Sequence, residues 1–361
     1  MDSKAHIYNK RIERVRTQLQ TCGVEGALFF DLSNIRYLTG FTGSEGVLFL
    51  GRDRLALLVD GRYTTQAGRE SPHAGIVPVT DKMEGISNLL AAERVGPVGF
   101  ESSILTYDGY TILHNRLPAV ELLPLSSQLS ELRAVKDEEE VRLIKAAAGI
   151  AARALRKTLE GLAPGIRERE IAALLESAML QEGSEKPSFE TIVASGENAA
   201  LPHAHPGDRA LRSGDFVVID YGAVYGGYHS DETCTIALGT LSPQQGKVYE
   251  IVKSAHDRAL EAVRPGVLAR EIDGIARRYI ADAGYGAYFS HGTGHGVGLA
   301  VHEAPILSSR SRSVLEEGMV ITVEPGIYIP GLWGIRIEDM ILVTAEGFRI
   351  LTEMPKHLVI L

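Results

Sequence analysis

The hydrophobic pattern changes rhythm once along the chain. Over residues 5–20, Ile7, Ile12, Val15 and Leu19 recur at helical spacing, and residues 26–31 then form an apolar run closed by an aspartate, which predicts a buried strand. Residues 37–46 read as a Gly- and Thr-rich loop. Strands follow at 47–50 and 55–60, a helix starts at 64–69, and a helical stretch over 83–94 leads to a further strand at 98–101. Strands alternating with helices predict a small α/β domain over residues 1–130.

From residue 131 to 361 the pattern is of longer helices and carboxylate-tipped strands. Asp137 with Glu140 three positions on forms a capping box, and Val141, Ile144, Ala148, Ala151, Leu155 and Leu159 continue as one amphipathic helix. An internal repeat comes next. Leu159-Glu-Gly-Leu-Ala-Pro-Gly-Ile-Arg-Glu-Arg-Glu-Ile171 is echoed by Leu260-Glu-Ala-Val-Arg-Pro-Gly-Val-Leu-Ala-Arg-Glu-Ile272. Each copy holds a helix end, a Pro-Gly turn and a new helix entered near Arg-Glu-Ile, stopped at Gly183 or Gly284. Each also precedes one acidic hairpin at a similar distance, so this domain is expected to contain two equivalent halves.

In the first hairpin, Val217, Val218 and Ile219 read as a buried strand ending in Asp220. Gly222, Gly226 and Gly227 mark the turn, and residues 228–231 return with Asp231. The second hairpin runs an apolar strand into Glu324, then Pro325-Gly326, another strand, a Gly-rich turn at 331–334 and a returning strand carrying Glu338. Between them, His291, His295 and His302 share a short Gly-rich loop. Carboxylates gathered in apolar surroundings repel one another and lose hydration, so a bound cation is the expected compensation. Four carboxylates and at least one imidazole suffice for two metal ions at the roughly 3.5–4 Å spacing of two-metal hydrolases.

Composition narrows the classes. The net charge of −9 and the lack of a Lys/Arg cluster argue against a nucleic-acid surface. Only Cys22 and Cys234 are present, too few for a disulfide framework, so a reducing, cytoplasmic setting is expected. No run approaches the roughly 18 apolar residues of a membrane span, and residues 1–20 are charged throughout, without an apolar signal core. The glycines at 292–298 fail the dinucleotide pattern because Val297 takes the last glycine position.

Asp220, Asp231, His295, Glu324 and Glu338, in this order and setting, resemble the five metal ligands of the pita-bread metallopeptidases, which include methionine aminopeptidase, Xaa-Pro aminopeptidase, prolidase and creatinase. The likeness covers nearly the whole chain. Asn34-Ile-Arg-Tyr-Leu-Thr-Gly-Phe-Thr-Gly-Ser-Glu-Gly46 and Asp60-Gly-Arg-Tyr63 are similar to the creatinase/prolidase N-terminal domain, which methionine aminopeptidases lack. Leu201-Pro202-His203, His291-Gly-Thr-Gly-His295-Gly296, Val323-Glu-Pro-Gly326 and Gly334-Ile-Arg-Ile-Glu-Asp339 are similar to the proline-specific branch.

The resemblance implies an α/β two-domain chain: a small creatinase/prolidase-like domain over 1–130, then a pita-bread α+β catalytic domain over 131–361 with an internal pseudo-twofold repeat. It implies an exopeptidase that hydrolyses the Xaa-Pro bond at the N-terminus of proline-containing peptides, with a metal-bridging hydroxide as nucleophile. Asp220 would chelate one metal, His295 and Glu324 the other, and Asp231 and Glu338 would bridge both. The ions would be Mn²⁺ first, with Co²⁺ or Zn²⁺ admitted. By the same likeness His203 and His302 contact the substrate carbonyl, Glu324 shuttles a proton, His291 and Tyr328 line the proline pocket, and Arg336 stands beside the bridging Glu338. A homodimer is implied as well, in which residues 41–46 and Arg62 approach the neighbouring site and shape substrate length.

One position departs from the family pattern, Asp-x-Thr-Arg-Thr, since Cys234 stands where arginine is usual in Asp231-Glu-Thr-Cys-Thr235. That leaves hydrolysis in place and puts the orientation of the ligands and the metal preference in question. The closest alternative is a strict Xaa-Pro dipeptidase. Further off stand a metal-free creatinase-like hydrolase and a catalytically silent peptide-binding module, and the intact ligand set speaks against both. His205 is set aside as a surface residue, Cys234 is expected to be an inert buried thiol, and Trp333 is either a pocket wall or an exposed turn residue.

Overall fold

The computed structural model describes residues 2–125, 129 and 131–361. The chain divides into two compact units, Met1–Leu132 and Arg133–Leu361. The expected boundary at residue 130 falls on a residue outside the described ones.

The first unit comprises α1 (Asp2–Thr21), β1 (Gly26–Phe29), α2 (Leu32–Thr39), β2 (Val47–Gly51), β3 (Leu55–Val59), α3 (Thr64–Glu70), β4 (Gly75–Pro78), α4 (Lys82–Glu93), β5 (Val98–Phe100), α5 (Tyr107–Arg116) and β6 (Leu122–Pro124). Its sheet has the order β4-β3-β2-β1-β5-β6, antiparallel across β1, β2 and β3 and parallel toward both edges. The central strands are continuous apolar runs because they are buried on both faces. Leu28, Phe49 and Leu58 pack with Ile86 and Leu90 of α4 and Leu113 of α5.

The expected loop at 37–46 begins as helix instead. Asp31 accepts a hydrogen bond from Ser33 N at 2.9 Å and caps α2, which runs through Tyr37 and Leu38 and stops at left-handed Gly40. Glu101, buried just past β5, accepts from Phe30 N, Asp31 N and the Asn34 amide, so the strand ends Asp31 and Glu101 fix the entry to this helix. The turn residues around Asn34 and Gly40 mask an apolar stripe of only two turns.

In the second unit the expected halves are present. One half has α6 (Glu138–Leu159), α7 (Glu168–Gln181), β7 (Ile192–Ser195), β8 (Phe216–Tyr221), β9 (Val224–Tyr225), β10 (Tyr228–His229) and β11 (Glu232–Ala237). The other has α8 (Pro243–Glu261), α9 (Ala269–Asp282), β12 (Gly294–Gly296), β13 (Glu303–Leu307), β14 (Val320–Val323), β15 (Gly326–Ile329), β16 (Trp333–Arg336), β17 (Asp339–Thr344) and β18 (Gly347–Ile350). Their sheets have the orders β11-β8-β7 and β13-β12-β14-β17-β18, and each half carries a small ribbon, β9–β10 or β15–β16.

The repeat extends to single hydrogen bonds. The Pro-Gly glycines Gly165 and Gly266 have φ of +97° and +86°, and their N–H groups donate to Leu211 O and Leu315 O at 2.9 and 2.8 Å. Arg167 bridges Ala210 as Leu268 bridges Val314. Each half has its own core: Ile150, Leu155, Ile171 and Leu175 against Val217 and Ile219 in one, Val252, Ala255, Ile272 and Ala276 against Ile321 and Ile341 in the other. Trp333, left open by the sequence, packs edge-on against Phe216 at 5.7 Å and belongs to this second core. Among the described residues no helix is long and apolar enough to cross a membrane.

Candidate active site

The acidic hairpins differ from simple two-strand turns in a way that creates the site. Residues 228–231 are expected as one returning strand, but β10 ends at His229 and β11 begins at Glu232, leaving Asp231 at the break. The cause is a tight approach opposite it: a Cβ on Gly222 would meet Ser230 O at 1.9 Å, and Ala223 and Ser230 exchange backbone and side-chain hydrogen bonds there. The second hairpin repeats this, with Glu338 in the break between β16 and β17. A residue freed from the ladder in this way can turn its side chain inward while its neighbours keep the sheet.

His295, expected in a loop, lies on strand β12 between β13 and β14. Gly294 permits this, because a Cβ there would sit 2.0 Å from Thr322 O. Thr322 accepts from His295 N at 3.1 Å and donates to Glu324 Oε1 at 3.4 Å, tying the imidazole and the carboxylate to one strand.

The fold brings the five expected ligands toward one point. Asp231, His295 and Glu338 each offer a ligand atom within 4.8 Å of the others. His295 Nε2 is 3.5 Å from Asp231 Oδ2 and 3.5 Å from Glu324 Oε1. Asp220, on β8, accepts from Arg336 Nη2 at Oδ2 over 2.6 Å, while its Oδ1 is buried with no hydrogen-bond partner. Arg336 is the organiser. Its guanidinium also donates to Tyr328 OH at 2.9 Å, Pro202 O at 3.0 Å and Thr233 Oγ1 at 3.0 Å, and Thr233 donates to Glu338 Oε2 at 2.7 Å.

The remaining expected residues surround this point. His302 packs edge-on against His295 with ring centroids 4.3 Å apart. His291 Nε2 lies 2.8 Å from Tyr328 OH, and Arg277 donates to the His291 carbonyl at 2.7 Å. His203 is exposed and follows Pro202, whose carbonyl Arg336 holds. His205, set aside earlier, is exposed and pairs with Glu190 at 3.0 Å.

The electrostatics are those of a site short of positive charge. Burial, then the Glu338, Asp220 and Glu324 carboxylates, push Asp231 well above the usual carboxylate range. Burial, then Glu324 and Asp220, do the same to Glu338. Burial raises Glu324 to about 7, with Arg336 opposing and Asp220 adding to the rise. The imidazoles stay neutral: burial and then Arg336 lower His291 to about 4, burial lowers His295, and burial and then His295 lower His302. Burial raises Tyr328 to about 12 against the pull of Arg336. A divalent cation among these groups would hold the carboxylates ionised and meet the orphaned Asp220 oxygen, so the donor set fits a metal.

Two similarities to known proteins now bear on this geometry. Residues 142–345 match metallopeptidase family M24, and residues 11–135 match the creatinase/prolidase N-terminal domain. The chain belongs to metallopeptidase family M24. It is 38% identical to an Xaa-Pro dipeptidase of Pyrococcus horikoshii, over 98% of this chain and 99% of that protein. Its structure matches an Xaa-Pro dipeptidase from Bacillus anthracis with a TM-score of 0.94 at 40% identity, covering 98% of this chain and 100% of the other. An X-Pro aminopeptidase from Thermotoga maritima gives 0.90 at 35% identity, covering 97% and 99%. This M24 protein is a metallo-exopeptidase with a two-domain α/β architecture, as the resemblance implied.

Several residues around the site escaped the sequence reading. Glu232 and Asp339 directly follow Asp231 and Glu338, and both are buried. The acidic doublets Asp231-Glu232 and Glu338-Asp339, each entering an apolar strand, are the signal that could have found them. Cys234 is buried as expected, its thiol pushed up to about 12 by burial, on the opposite face of β11 from Thr233.

Proposed function

We propose that this M24 enzyme uses two divalent ions to hydrolyse the imide bond before proline in Xaa-Pro dipeptides. The observation that carries the reading is the convergence of Asp231, His295, Glu324 and Glu338 beside an Asp220 oxygen that is buried and unpartnered. Asp220, Asp231, His295, Glu324 and Glu338 would hold the ions, Asp220 on the side of one, His295 and Glu324 on the side of the other, with Asp231 and Glu338 shared. Four carboxylates with a single imidazole favour a hard ion such as Mn²⁺ over Co²⁺ or Zn²⁺. When bound, such ions polarise a carbonyl and acidify water to near neutrality.

The protein's own groups do the rest. Glu324 is the group that takes a proton and returns it to the leaving nitrogen. His302, beside His295, and the exposed His203 present imidazoles to the substrate carbonyl. His291 and Tyr328 brace each other as a wall for the pyrrolidine ring, and Arg336 fixes Tyr328 and Asp220 together. An Xaa-Pro bond has no N–H and a fixed φ, which suits a site that grips the carbonyl and the free amino group instead.

Dipeptides come first because the relatives from Pyrococcus horikoshii and Bacillus anthracis carry the name Xaa-Pro dipeptidase. The Thermotoga maritima structure favours a second reading, an aminopeptidase acting on longer peptides. A cytoplasmic homodimer completes the proposal. Its unpaired Cys22 and Cys234 suit a reducing compartment, and residues 41–46 with Arg62 set substrate length at the neighbouring site.

The test is cleavage by Mn²⁺-reconstituted protein of an Xaa-Pro dipeptide and an Xaa-Pro-Xaa tripeptide, each with a chelated control. Metal-dependent cleavage of the dipeptide alone is the expected result. Cleavage of both, or of the tripeptide alone, makes the enzyme an aminopeptidase. Failure on both removes the proline-directed reading.

A further inference from the structure

The acidic hairpins have a second side. Along β11, Thr233 and Thr235 face the site, while Glu232 and Cys234 face away from it. On this reverse side the ammonium of Lys356 lies 2.5 Å from Glu232 Oε1 and 3.5 Å from Asp339 Oδ1, with Cys234 Sγ at 3.7 Å. Glu232 also accepts from Tyr221 OH at 2.8 Å and Met354 N at 3.1 Å. Asp339 accepts from Thr352 Oγ1 and lies 3.3 Å from His256 Nε2. All of these side chains are buried or nearly so.

Glu232 and Asp339 belong to different halves of the repeat, and each is bonded to the next residue back, Asp231 or Glu338. The segment carrying Lys356 spans the same two halves. Leu351 N donates to Met340 O at 2.8 Å at one end, and Ala237 N donates to Val359 O at 2.9 Å at the other. Tyr249 OH holds the Lys356 carbonyl between them at 3.2 Å. One ammonium therefore links the two strands that place the site's central carboxylates.

The geometry points to Lys356 as a positioning residue for the metal centre: by clamping Glu232 and Asp339 from behind, it sets the spacing of Asp231 and Glu338 and so allows both to bridge two ions. This rests on the two-metal reading above. The ion pairs of Lys356 are with Glu232 and Asp339 and not with the site-facing carboxylates, so it acts on the site indirectly. Partners outside the ligand set commonly change metal affinity by about 10–100-fold.

The experiment is Mn²⁺ titration of the metal-free full-length protein, followed by calorimetry and by electron paramagnetic resonance, with unfolding curves as a control for the fold. Wild type is expected to bind two ions and give the spectrum of a coupled pair. K356M is expected to fold, hold one ion and bind the second about 10–100-fold more weakly, with the signal of an isolated ion in its place. A folded K356M that binds both ions like wild type and loses only thermal stability overturns the clamp. Should K356M not fold, E232Q/K356Q, an amide pair that leaves no unpaired charge behind Asp231, decides by the same two outcomes. A wild type that binds fewer than two ions overturns the two-metal reading itself, and the clamp with it, before any variant is made.

Discussion

The two faces of the acidic hairpins use the same chemistry to opposite ends. On the site face, Asp220, Asp231, Glu324 and Glu338 crowd around one guanidinium, and burial together with mutual repulsion lifts three of them out of the carboxylate range. On the reverse face, Asp339 is held below that range although it too is buried, because Lys356 and His256 stand against it. Glu303 tells the same story elsewhere: burial alone would raise it, yet Lys136 and Arg133 hold it ionised. Buried acid is thus ordinary in this protein, and burial raises Glu232 and Glu101 as well; what marks the site is several buried carboxylates that raise one another.

The comparison breaks most sharply through the site face. Asp231→Asn or Glu338→Gln removes a ligand proposed to serve both ions, and metal-dependent cleavage of an Xaa-Pro dipeptide is expected to fall below detection while the fold persists. Steady-state assays with circular dichroism of the same samples check both halves of that statement. Near-normal turnover in either variant would end the two-metal assignment.

The balanced acids predict a different failure. Glu303→Gln leaves Arg133 and Lys136 buried without their carboxylate, and breaking a buried pair in this way costs about 3–5 kcal/mol. Urea unfolding should register most of that as a lower midpoint with an unchanged slope. Because Glu303 also accepts from Ala300 N at 3.1 Å, the turn leading to His302 loosens as well, and kcat should drop several-fold.

A third contrast comes from pH. Glu324 has its ordinary value of 4.5 in the unfolded chain and about 7 in the folded, metal-free protein. Between those values the unfolded state has released the proton that the folded state keeps, so stability falls as pH rises through this window, by up to about 3 kcal/mol. Thermal unfolding of chelated wild type and Glu324→Gln at pH 5 and pH 8 gives the effect as the difference between the two proteins, since Asp231 and Glu338, also raised, titrate in both. Saturating Mn²⁺ should reverse it in wild type, adding about 2.7 kcal/mol at a hundredfold excess over Kd. An equal pH response in both proteins would show that Glu324 is ionised throughout.

What could be read from the chain follows the same division. The halves of the second unit were legible because Pro-Gly turns, helix stops and carboxylate-tipped strands are local signals, and Gly165 and Gly266 occupy matching places in the structure. The convergence of Asp231, His295, Glu324 and Glu338 was legible because carboxylates that close apolar runs and a histidine among glycines are local signals. The break at Asp231 was not, since it depends on Gly222 meeting Ser230 from across the ribbon. Helix α2 was missed because its cap, Asp31, also ends a strand. Lys356 was invisible for a plainer reason: its partners lie more than a hundred residues away, or just behind ligands that drew attention to the other face.

The smallest expected effect separates two histidines of one segment. His203 and His205 sit two residues apart and both are exposed, so accessibility alone does not rank them. His205 has a local use, a surface pair with Glu190, and such pairs contribute about 0–1 kcal/mol. His203 instead follows the carbonyl that Arg336 grips, which ties it to the site. His203→Ala should therefore lower kcat by about 10²-fold, the low end for a positioned acid or base, whereas His205→Ala should leave kcat/KM within twofold of wild type. Equal losses in both variants would assign the segment a role in loop conformation, and equal retention would remove His203 from the reaction altogether.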